Sequence, residues 1–155
     1  MIYTATITID ANTAEVDAVR TVLRVGKGLI WRIEVEFPPG CAGLAHLKIN
    51  DGLYQLFPAT PGESFASDGT VIGFDDLYLK NSAPFEFTVT TWNLDEAWPH
   101  TLQVRVAMAS AEAFMSRYMP SVSWDKFNKV LADAAKAQAE EKQRQIDQLA
   151  KEIGG

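Results

Sequence analysis

The sequence predicts a mainly β protein: an antiparallel β-sandwich of jelly-roll type, then a short helix and a long C-terminal α-helix. Three observations predict it. Residues 1–109 alternate apolar and polar side chains in short runs separated by Gly, Pro, Asn and Asp. No clear helical period falls between those runs. From Ser110 the chain turns rich in Ala, Lys, Glu and Gln at helical spacing. The expected division is a sandwich domain over 1–109 and a helical extension over 110–155.

The strands follow in order. IYTATITI (2–9) is rich in β-branched residues. VDAVRTVLRV (16–25) reads as strand for the same reason. LIWRIEVEF (29–37) puts Trp31, Ile33, Val35 and Phe37 on one face and Arg32, Glu34 and Glu36 on the other. Pro38-Pro39-Gly40 ends it, because proline has no amide proton to give a neighbouring strand. LAHLKINDGLYQLF (44–57) reads as a hairpin turning at Asn50-Asp51-Gly52, residues that tolerate positive φ. TVIGFDDLYLK (70–80) is extended, with Gly73 as the place where it would break. FEFTVTTW (85–92) and TLQVRVAM (101–108) alternate again. That makes roughly eight strands.

Ser110 is placed to cap a helix over AEAFMSRYM, which Pro120 ends, and Ser123 to cap the last one. The last helix runs about 30 residues, roughly 45 Å. It carries six basic and six acidic side chains, so the whole formal charge of −6 lies in residues 1–122. Trp124, Phe127, Val130 and Leu131 can pack on the sandwich; Ile146, Leu149 and Ile153 resume at heptad-like spacing after an alanine-rich middle. Phe127, Leu131, Ile146, Leu149 and Ile153 are therefore the candidate helix interface, although Lys142 occupies a would-be core position. The partner is a second copy or another protein, unless the helix lies along its own domain.

Composition excludes some functions. With 47% apolar and 22% charged residues the chain suits a globular fold. An acidic total without a basic run in the first 120 residues argues against nucleic acid and anionic membrane as partners. No run approaches the ~20 apolar residues of a membrane span. One cysteine, Cys41, rules out an intrachain disulfide; the start MIYTATITID lacks a signal-peptide pattern, and synthesis in the cytoplasm is expected.

Catalytic chemistry finds little support. The two histidines, His46 and His100, fall short of the several His plus a Glu that cupin-type jelly rolls use for a metal. Asp75-Asp76 and the turn acids Asp51, Asp68 and Asp95 lack calcium-loop spacing. There is no GxSxG, no phosphate-binding glycine loop, and Ser64 has no recognisable context. No enzyme activity, cofactor or metal is expected. One stretch stands out: TWNLDEAWPHT, residues 91–101. It is either a loop platform, with Trp92 and Trp98 stacking on a sugar while Asn93, Asp95 and His100 bond its hydroxyls, or a connection between two strands. Strand parity points Trp92 away from the core face, which favours exposure.

Gly43-Leu44, QLFP (55–58), PGE (61–63), Trp92-Asn93 and Pro99-His100 before a last alternating strand resemble, over residues 29–108, small jelly-roll accessory proteins of tailed-phage virions. The resemblance implies a noncatalytic decoration or attachment module on a capsid or tail surface, commonly trimeric. It implies no site residues. The expectation is a virion structural protein made in the host cytoplasm, bound to a capsid or other virion protein and self-associating. The alternative is a carbohydrate-binding module using Trp92 and Trp98.

Overall fold

A computed structural model describes residues 1–154. Nine strands form: β1 (Ile2–Ile9), β2 (Val19–Arg24), β3 (Gly28–Phe37), β4 (Ala45–Asp51), β5 (Tyr54–Phe57), β6 (Phe65–Ala66), β7 (Thr70–Lys80), β8 (Glu86–Asn93) and β9 (His100–Ala109). Two helices follow, α1 (Ala111–Tyr118) and α2 (Trp124–Gly154). The sandwich and both helices are as the sequence predicts. The two-residue β6 was not read from the sequence; it lies in the PGESFAS segment and pairs with β4.

One sheet has the order β1-β9-β3-β7 and the other β2-β8-β4-β5, all pairs antiparallel. Most consecutive strands therefore cross from one sheet to the other. This is the jelly-roll order, in which an eight-strand ribbon is folded over on itself. Ile7, Ile9, Ile33, Val35, Phe37, Leu47, Phe87, Val89 and Val104 meet between the sheets. Each such large side chain contributes about 1.5–3 kcal/mol by leaving water.

Two expectations about strand faces need correction. Trp31 does not share the core face of Ile33, Val35 and Phe37. The pairing of β3 slips between Ile30 and Arg32 on both of its neighbours, a bulge that re-aims the intervening residue. Ile30 takes the core place, and Trp31 packs against Tyr118 of α1, ring centroids 6.0 Å apart. Gly73 does not break β7, which runs unbroken from Thr70 to Lys80. The Arg32 side chain crosses over Gly73 and would lie 3.1 Å from a Cβ there. The β4–β5 hairpin turns at Gly52, whose φ of 61° suits glycine, while Asp51 remains in the ladder opposite Tyr54.

Ser110 caps α1 through the amide of Ala113, and Ser123 accepts from Lys126 at the start of α2. Phe127 is buried against Phe114 of α1 and Trp124, while Trp124 itself and Val130 remain largely exposed. From there α2 reaches edge strands of both sheets, β7 and β5.

Candidate functional site

The corner at 91–101 is assembled by hydrogen bonds to its own chain. Asn93 is fully buried. Its Nδ2 donates to the carbonyls of Trp98 (2.8 Å) and Asp10 (3.3 Å), and its Oδ1 accepts from the amide of Asp95 (3.0 Å). Asp95 accepts from the amides of Ala97 and Trp98 through Oδ1 and from Nε2 of His100 at 2.9 Å through Oδ2. The Ala97 amide first, then the His100 ring, hold the Asp95 carboxyl below its ordinary range. An ionised carboxylate only accepts, so His100 is the donor. The backbone of Asn93 also exchanges bonds with Thr13 at 2.8 and 3.0 Å. Asn93, Asp95 and His100, the side chains the sequence offered for a sugar here, each already bond to their own chain.

The two indoles do not form one platform. Trp92 lies on the outer face of its sheet, as parity demands, yet only 5% of it is exposed. This corrects the expected exposure. His46, directly opposite on β4, stacks on the ring at 5.0 Å and nearly parallel, and the Lys48 ammonium lies 5.2 Å from the ring centroid. Lys48 is itself held at 2.9 Å by Glu15, from the segment joining β1 to β2. A one-dimensional pattern fixes the face of a side chain; it does not register what a distant segment lays across it. Trp98, 69% exposed, is the one open ring of the pair.

Other candidates have structural partners too. Ser64 lies 2.9 Å from Nδ1 of His46, and among the described residues no hydrogen bond reaches the other ring nitrogen. Burial lowers the His46 pKa, with Glu15 acting in the opposite direction. Cys41 is buried, which raises its thiol pKa. Asp75 pairs with Arg32 at 2.8 Å, and Asp76 accepts from the Leu77 amide.

The cluster that sequence reasoning missed is centred on Asp51. Only 8% of its side chain is exposed. Lys80 Nζ lies 2.6 Å from Oδ1; Lys142 Nζ at 2.7 Å and the Tyr78 hydroxyl at 2.5 Å both donate to Oδ2. Burial pushes the Asp51 carboxyl up, but the bonds from Lys142, Lys80 and Tyr78 outweigh it and leave the pKa below its ordinary value. Burial first, then Asp51, raises that of Tyr78. By sequence Asp51 reads as a turn residue. The one legible sign was Lys142 on the helix face otherwise reserved for Phe127, Leu131 and Leu149.

Two glutamines complete the helix attachment. Gln138 accepts from the amide of Leu79 and donates to its carbonyl, at 3.2 and 2.9 Å, pairing with the edge of β7 as a strand would. Gln145 accepts from the amide of Gln55 on β5 at 2.7 Å. The helix thus lies along its own domain. Of the predicted interface, Phe127 is buried, Leu131 and Ile146 are half-buried, and Leu149 is exposed. Ile153 is 86% exposed.

Among the described residues no helix is long and apolar enough to cross a membrane. No protein-family model matches the chain, and comparison with curated proteins finds no relative.

Proposed function

We propose that this chain is a noncatalytic structural protein of a virion, a decoration or attachment module that rides on a capsid or tail surface and associates with copies of itself. The observation that carries the reading is the long helix. It is fastened to the sandwich by polar side chains, while Leu149 and Ile153 continue its inward stripe and remain in water. A second copy offering the same stripe would bury both residues, each pairing with its equivalent about a symmetry axis. The jelly-roll strand order supports the reading as well, since viral capsid domains use that architecture.

Light scattering tests the self-association. The full chain is expected to exceed its monomer mass of 17.1 kDa, with a trimer as the expected state, and Leu149→Asp with Ile153→Asp to return it to monomer. Sedimentation with purified phage particles tests attachment. A chain that is monomeric at all concentrations and never travels with the particle overturns the proposal.

A further inference from the structure

The outer face of the sheet β2-β8-β4-β5 carries a polar trough of about 440 Å³. Its floor is ordered by the strand register. Thr90 of β8 lies opposite Arg20 on one neighbouring strand and opposite Lys48 on the other. The row therefore reads cation, hydroxyl, cation across three strands, with adjacent Cβ atoms roughly 5 Å apart. In the next row Thr88 lies opposite Asn50. Leu53, in the β4–β5 turn, adds an apolar side chain to the lining, and Glu15 adds an acid.

Three features separate this surface from an ordinary solvated sheet face. Thr90 is 8% exposed, lines the trough, and makes no side-chain hydrogen bond among the described residues. Among the described residues no side-chain oxygen or nitrogen is both sealed from solvent and unbonded, so the Thr90 hydroxyl opens toward the trough. The side chains of Arg20, Asn50 and Thr88 likewise make no hydrogen bond among the described residues. Lys48 is held in place by Glu15 and by the Trp92 ring, with N–H donors left over.

We propose that this trough binds an acidic saccharide through a sugar carboxylate. The carboxylate lies over Thr90, between Arg20 and Lys48. Asn50 and Thr88 bond ring hydroxyls, and Leu53 meets an apolar edge of the ring. Arg20, Lys48 and Glu15 together leave a single positive charge, which matches a monocarboxylate and disfavours a phosphate dianion. The trough is a cationic groove on the part of the chain that holds the whole acidic surplus. It uses neither Trp98 nor the covered ring of Trp92 as a stacking surface, and it stands on its own geometry whether or not the chain rides on a particle.

The test is a titration of the isotope-labelled full chain followed by amide chemical shifts. Trigalacturonate is the probe, with maltotriose and inorganic phosphate as comparators. Saturable shifts confined to Arg20, Lys48, Asn50, Thr88 and Thr90 are expected with trigalacturonate. Maltotriose should bind at least about 10-fold more weakly, having no group for the cations. Arg20→Ala should weaken binding by about 10-fold or more, and Thr90→Val, which keeps the shape and removes the hydroxyl, by about 2- to 10-fold. The spectrum itself reports whether each variant is folded. No saturable shifts, shifts elsewhere, or affinities untouched by both substitutions overturn the site. Phosphate binding as tightly at the same residues would make it a simple anion hole and overturn the saccharide assignment.

Discussion

Between the two sheets the side chains that meet are Ile33, Val35, Phe37, Leu47, Phe87 and Val89. Between α2 and the sandwich the hydrogen-bonded side chains are Gln138, Lys142 and Gln145, facing a backbone edge, a buried carboxylate and another backbone edge. The first contact is non-directional and grows with area. The second is directional, and each bond requires its partner at a set distance. Apolar burial holds the sandwich together. Polar complementarity fixes how the helix lies on it and covers edge strands that would otherwise pair with another chain.

Asp51 joins the two regimes, since Lys80 reaches it from the sandwich and Lys142 from the helix. Asp51→Ala should have the largest effect, about 3–5 kcal/mol of lost stability, because Lys80 would be left buried and unpaired. Urea unfolding reads this directly. A loss below about 1 kcal/mol would mean that water enters the cluster and that the two regions differ less than their contacts imply.

The two regions also differ in how far the sequence discloses them. Alternation located the strands because a period of two is local. It assigned Ile33, Val35 and Phe37 correctly and failed at Trp31, where a bulge shifts the phase without a mark in the sequence. It placed Trp92 on the correct face and missed that His46, Lys48 and Glu15 close over it. The site around Asp51 was hidden for a like reason. Asp-Gly is a common turn pair, and nothing local announces that Lys80 and a residue ninety-one positions away converge on it. Lys142 at an interior position was evidence of a buried acid, readable only as an irregularity in the heptad.

An intermediate effect separates the halves of the cluster. Lys142→Met removes the helix side alone and keeps the apolar stem, so the cost should be about 1.5–3 kcal/mol, the worth of a bond to a charged group. The same cluster sets an acid limit. The folded Asp51 carboxyl titrates below its ordinary value, so the unfolded chain takes up the proton first. Its contribution is present above about pH 4 and is lost as pH falls through the lower folded value. The urea midpoint of the parent should therefore fall more steeply below about pH 4 than that of Asp51→Asn. Parallel curves would place the acid sensitivity in other carboxyls, Asp95 and Glu34 among them, whose values are also lowered.

The smallest effect belongs to the most conspicuous side chain. Trp98 is wide open, and the corner bonds to its backbone, not its ring: its amide donates to Asp95 and its carbonyl accepts from Asn93. Trp98→Ala keeps both bonds and should change stability by no more than about 0.5 kcal/mol. A much larger loss would show that the indole packs on the sandwich end, so that the corner belongs with the apolar regime. A neutral result leaves an exposed aromatic ring with no part in folding.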